Sequence, residues 1–211
     1  MSTAFKVITP PSVEPISLTD AKAYLRVDFS DDDAVIANLI TRARSYAETV
    51  THRALCTQTI QCVETIERPS GGVLSGPIVE GPNWYQFQQQ IGANPFGAAQ
   101  FYVDLPMPPI QASQTLTIET KVTAFDTWTA FTGVTYLDDV QEPARLYFMD
   151  PLTVNFWRFT FTSGYYSGYP IPPGLLQPIY ESIAFWYNNR EAEDLPQYIL
   201  NKLLARRVDW V

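Results

Sequence analysis

The chain has a single histidine, His52, and two cysteines, Cys56 and Cys62, in 211 residues. One imidazole cannot supply a multi-histidine metal site, and no Ser-His-Asp or Cys-His constellation can be assembled around it. Phosphate-gripping glycine motifs such as GxGxxG are missing, so nucleotide chemistry has no support. Nothing approaches the run of about 20 apolar residues that spans a bilayer. The opening MSTAFKVITPPSVEP has no apolar signal-peptide core, which implies assembly in a cytoplasm. Basic residues are also scarce: 14 Lys and Arg against 22 Asp and Glu give a net charge of −8. That balance argues against gripping nucleic acid by phosphate neutralisation. An acidic wall would instead repel a duplex and let it slide past.

The remaining acidic and sulfur chemistry is sparse. If Cys56 and Cys62 share a strand they stand ~20 Å apart, beyond the roughly 4.4–6.8 Å a disulfide allows, so reduced, semi-buried thiols are expected. Asp138-Asp139 and Glu191, Glu193 and Asp194 fall in turns, where solvated carboxylates are ordinary, rather than forming an acid-base pair. No catalytic residue, metal ligand or cofactor site is expected, and the chain reads as a non-enzyme.

What is present is a globular composition, 46% hydrophobic and 17% charged, with 17 prolines and 14% aromatics that call for turns and short strands. The stretch from Thr9 to Pro15 is an extended arm, since its prolines lack donors and bias their neighbours away from helix. Ser17 can cap a helix with Leu18, Ala21 and Leu25 on its apolar side, fading near Val27. Ser30, followed by Asp31, Asp32 and Asp33, signals a second helix start. The three carboxylates there complement the dipole better than they match a calcium loop, which would need a turn glycine and a distal Glu. Val35, Ile36, Leu39, Ile40, Ala43, Tyr46, Ala47 and Val50 then recur at helical spacing, with Arg42, Arg44 and Glu48 largely off the stripe and His52 and Arg53 at the C-terminal end.

From Ala54 to about Ser163 the period becomes two. Strands are predicted over 57–66, 99–105, 115–124 and 153–162, with shorter ones at 134–137 and 144–148. Between the first two, residues 68–98 show no period and read as a long loop or irregular hairpin. Its aromatics Trp84, Tyr85, Phe87 and Phe96 are candidate partner contacts. Phe156, Trp157, Phe159, Phe161, Tyr165, Tyr166 and Tyr169 read as core or interface anchors rather than a stacking platform for sugars or bases. Pro170 to Gly174 stops the sheet. A helix carrying Leu175, Leu176, Ile179, Ile183, Phe185, Trp186 and Tyr187 comes next, with Pro178 tolerable only in its first turn, and a short helix spans 196–205. The predicted class is α+β. N- and C-terminal helices form a small bundle around an inserted antiparallel β part, divided as 1–55, 56–169 and 170–211, the last packing with 16–55.

Several segments together resemble the head-to-tail connector, or adaptor, proteins of long-tailed phages and prophages. They include Ile8-Thr9-Pro10-Pro11, Glu14-Pro15-Ile16-Ser17-Leu18, Tyr24-Leu25-Arg26-Val27-Asp28, Asp31-Asp32-Asp33 and Thr51-His52-Arg53-Ala54-Leu55. Further along are Leu105-Pro106-Met107-Pro108-Pro109-Ile110, Phe161-Thr162-Ser163-Gly164-Tyr165 and Phe185-Trp186-Tyr187-Asn188-Asn189-Arg190-Glu191, all in the family's order. The resemblance implies a structural virion protein of the neck. It would be a subunit of a homo-oligomeric ring, typically twelvefold, docked on the portal protein and succeeded by a stopper or tail protein, with DNA passing through the lumen without specific binding. It also implies that the C-terminal segment, Arg206, Arg207, Val208, Asp209, Trp210 and Val211, reaches into the portal. Residues 68–98 are longer than the family's usual turn there, so their role does not carry over. A stopper or tail-completion protein is the nearest alternative, and a carbohydrate-binding accessory domain the alternative from another class.

Overall fold

The structure, a computed structural model, describes residues 4–65, 101–111, 116–148, 156–192 and 194–209. The long segment 68–98, with Trp84, Tyr85, Phe87 and Phe96, lies outside the described residues, as do Glu193, Trp210 and Val211. Strands are β1 (Ala4–Thr9), β2 (Gln58–Thr65), β3 (Phe101–Leu105), β4 (Thr117–Lys121), β5 (Thr129–Ala130), β6 (Thr135–Asp138), β7 (Ala144–Phe148) and β8 (Phe156–Ser163). Helices are α1 (Leu18–Leu25) and α2 (Asp33–Thr51) before β2, then α3 (Pro173–Asn188) and α4 (Gln197–Leu204) after β8. The class is α+β, with antiparallel pairing throughout the two sheets.

One apolar cluster is helical. Ile36, Ile40, Ala43 and Ala47 of α2 are buried with Leu175, Ile179, Ile183 and Trp186 of α3 and with Ile199 and Leu203 of α4, while α1 adds Ala21. These are the i, i+3, i+4 positions of each helix, so the stripe seen in the sequence is the stripe that packs. Arg42 lies 4.1 Å over the Trp186 ring, closing the margin of that core with a cation–π contact.

Ser17 caps α1 as expected, its Oγ accepting from the Asp20 N–H at 3.1 Å. The start of α2 differs from expectation. Ser30 contributes only its carbonyl to a turn with Asp33, and the helix begins at Asp33. The acidic run does stand at the helix start, with Asp32 as the N-cap residue and Asp33 in the first turn, and it also holds helices together. Asp33 pairs with Lys22 of α1 at 2.5 Å, and Asp32 accepts from the Tyr187 hydroxyl of α3 at 2.6 Å. Pro178 sits in the second turn of α3 rather than the first, and it is buried.

The second cluster lies between two sheets, one ordered β1-β2-β8-β4-β5 and the other β3-β7-β6. Alternate residues of β2, β8 and β7 point inward: Ile60 and Cys62, Trp157, Phe159 and Phe161, and Ala144, Leu146 and Phe148. Phe148 and Trp157 meet edge to face at 4.9 Å, joining the layers as a small sandwich. Neither β1 nor β5 was evident from the sequence; β1 pairs with β2, more than fifty residues away, by register Phe5 to Cys62 and Val7 to Ile60.

Candidate assembly surfaces

The two clusters meet at a polar joint built around Glu48. Helix α2 carries this carboxylate on its last turns, where it is buried. Its Oε1 accepts from the Leu55 N–H at 2.9 Å and from Gln58 Nε2 at 3.1 Å, and its Oε2 from Arg44 at 2.8 Å. Arg44 also donates to Glu14 of the arm at 2.7 Å, and Glu14 in turn accepts from Thr41 at 2.9 Å. Burial pushes the Glu48 carboxyl above the usual value even though these donors favour its charged form. The network fixes the arm, the end of α2 and the start of β2 relative to one another, so it is structural rather than catalytic.

Around the same joint, the Met107–Gln111 segment threads between the two parts. Pro108 O accepts from the Ala54 N–H at 3.0 Å, Pro109 O from the Gly164 N–H at 2.8 Å, and Gln111 Nε2 reaches Gly164 O at 2.8 Å and Thr57 Oγ1 at 2.9 Å. Beside it, an open groove of about 420 Å³ runs between the arm and the Tyr165–Ser167 turn, floored by Leu55 and Cys56. The one carboxylate among its described lining residues, Glu14, is already committed to Arg44 and Thr41. The groove therefore offers no acid-base pair.

The residues weighed for chemistry from the sequence are scattered. Asp138 accepts from the Val140 N–H and from Gln141, a self-contained turn, and among the described residues no group of three or more His, Cys, Asp or Glu is placed to hold a metal. Cys56 lies in the helical core and Cys62 in the sheet core, both free. Burial raises both thiols, Cys56 to about 12, which leaves them poorly reactive at neutral pH. Of the aromatic group, Trp157, Phe159, Phe161 and Tyr165 are buried, and only Tyr166 and Tyr169 retain much exposure. That arrangement makes four of the seven aromatics anchors of the core.

The C-terminal segment is tied down as far as it is described. Val208 is 6% exposed; its N–H donates to Thr51 O at 2.9 Å, and His52 Nδ1 stands 3.1 Å from its carbonyl. Arg53 grips the carbonyl of Arg206 at 2.8 Å, Glu142 at 2.6 Å and the Tyr165 hydroxyl at 3.4 Å. The side chains of Arg206, Arg207 and Asp209 face solvent, with Arg207 paired to Asp209 at 2.6 Å. No local signal marks Val208 as an intramolecular anchor, because its partners come from the far end of α2.

Residues 15–75 match the family model described as "Phage gp6-like head-tail connector protein". No curated protein matches the chain. Among solved structures, a chain of the neck of an empty gene transfer agent (GTA) particle computed with C6 symmetry is similar at 16% identity and TM-score 0.67, covering 99% of this chain and 97% of that one. A chain from the native GTA virion aligns at 18% identity and TM-score 0.65, covering 98% and 96%. A chain from the native GTA neck computed with C12 symmetry aligns at 18% identity and TM-score 0.62, covering 100% and 97%. The connector resemblance read from the sequence thus holds: residues 15–75 match the gp6-like head-tail connector family, and the chain as a whole shares the fold of chains from GTA necks and virions.

Proposed function

We propose that this chain is a structural protein of the neck of a tailed virion or phage-like particle, and that it forms a ring docked on the portal with DNA passing through its lumen. The observation that carries the reading is coverage. The fold of the GTA neck chain accounts for 99% of this chain and 97% of its counterpart, so the likeness extends over both chains rather than over one shared part. The connector-family match over α1, α2 and β2 favours the adaptor over a stopper or tail-completion protein. An acidic surface, net −8, suits a wall past which DNA must slide. Co-sedimentation with the portal protein of the same particle tests the reading: binding supports it, and failure to bind overturns the docking part.

The portal contact is assigned to the end of the chain, Arg206 to Val211, with Trp210 as its anchor. Docking of Val208 against Thr51 and His52 supports a division of labour, in which Val208 holds the base of the segment on its own subunit and Trp210 serves the partner. Deleting the whole segment would remove that internal anchor, so Trp210→Ala is the cleaner test. It is expected to abolish portal co-sedimentation with an unchanged unfolding temperature. Unaltered binding by the variant would remove Trp210 from the contact. Residues 68–98, with Trp84, Tyr85, Phe87 and Phe96, are proposed as a further contact element towards a neighbouring protein.

A further inference from the structure

Three consecutive residues at the end of α2, Thr51, His52 and Arg53, all contact the last stretch of the chain. Thr51 O accepts from the Val208 N–H, and His52 Nδ1 faces the Val208 carbonyl. Arg53 acts two residues earlier, donating from Nε to the Arg206 carbonyl at 2.8 Å. Its other two nitrogens are tied to the β part: Nη2 to Glu142 at 2.6 Å, in the link between β6 and β7, and Nη1 to the Tyr165 hydroxyl at 3.4 Å, just after β8. A planar guanidinium engaged at three points is a pre-organised donor, so the Arg206 carbonyl is held in place from the β part as well as from α2.

The side chain of Arg206 is seated separately. A Cβ built on Gly174, at the start of α3, would stand 2.8 Å from Arg206 Nη2 and 3.2 Å from its Cζ. The guanidinium therefore lies against bare backbone, in the room that the missing side chain leaves.

A short terminal segment that binds a partner does so more tightly when it is already ordered, because ordering it during binding costs affinity. We propose that Arg53 and Gly174 are positioning residues for the portal contact, fixing Arg206 at its carbonyl and at its guanidinium and so setting the course of the chain beyond α4. The proposal rests on the reading above, in which Arg206 to Val211 meets the portal. Neither residue touches the portal itself; each acts through Arg206. Glu142 and Tyr165 enter the same way, one step further back, since they hold Arg53.

Portal affinity, measured by sedimentation titration, is compared for the parent, Gly174→Ala and Arg53→Ala, alongside thermal unfolding and amide exchange of the free chain. Gly174→Ala separates positioning from stability. Alanine is the better helix former and the Arg206 guanidinium is a flexible end that can move aside, so the unfolding temperature should hold or rise. Portal affinity should nevertheless fall several-fold, and the Val208 amide should exchange faster. Arg53→Ala is expected to weaken portal binding roughly tenfold, as the segment must then be ordered on binding. A purely structural role for Arg53 would lower the unfolding temperature and leave portal affinity alone. Parental affinity in both variants, or unchanged exchange at Val208, overturns the positioning role and leaves the portal reading standing. A parent chain that does not bind portal overturns both.

Discussion

Gly164→Ala is expected to leave little folded protein, costing about 4–5 kcal/mol, at the severe end of single substitutions. Gly164 comes directly after the last residue of β8 and has φ +113°, a region that side chains with a Cβ rarely enter. A Cβ built there would overlap the Cys56 carbonyl oxygen and stand 2.8 Å from the Thr57 nitrogen. Both obstacles are backbone, so relief requires moving the link between α2 and β2 away from the end of β8. That movement would break the Gly164 N–H bond to Pro109 and the Gln111 bond to the Gly164 carbonyl. Thermal unfolding monitored by circular dichroism checks it; a midpoint within a few degrees of the parent would show that the joint tolerates displacement.

The second large effect is at Glu48. Glu48→Ala strands the Leu55 N–H and the Gln58 amide in a buried site and removes one of two carboxylates from Arg44. Loss of a buried, hydrogen-bonded charge partner typically costs about 3–5 kcal/mol, and that range is expected here. Glu48→Gln keeps the Oε1 acceptor for Leu55 and Gln58, so it should be milder. The pH dependence comes from the direction of the shift. Burial raises the folded-state value of Glu48 above the ordinary 4.5, so the folded protein binds that proton more tightly than the unfolded chain does. The stability gained from this linkage is fully present below the unfolded value and is lost as pH rises through the folded value. Unfolding midpoints of the parent relative to Glu48→Gln should therefore fall as pH increases across that window. A difference that grows with pH would mean the Arg44 pairing outweighs burial.

The parts of the fold legible in the sequence are those encoded locally. The α2 stripe, the Ser17 cap and the alternation of β8 each depend on neighbours within a few residues, and the structure keeps all three. Strand β1 is hidden because it adjoins the proline-rich arm and its pairing partner, β2, lies more than fifty residues away for Phe5 and Val7. The Asp31-Asp32-Asp33 run reads as a dipole partner because a sequence shows which helix comes next but not which helices lie alongside; Lys22 and Tyr187 claim two of the three. Arg44 and Glu48 look like a solvent face for the same reason, since the arm and the Leu55 backbone that enclose them arrive from elsewhere. The docking of Val208 against the end of α2 depends on tertiary placement that no local pattern announces.

The shared fold and the connector-family match over residues 15–75 support the proposed neck role, whose central claim is that this protein works as a closed ring. Electron microscopy of the chain mixed with its portal, or of intact particle necks, tests that claim most directly. The expected image is a ring of identical subunits directly beneath the portal, with a continuous lumen wide enough for a DNA duplex. Density for the chain elsewhere in the particle, or single copies on the portal without ring closure, would contradict it.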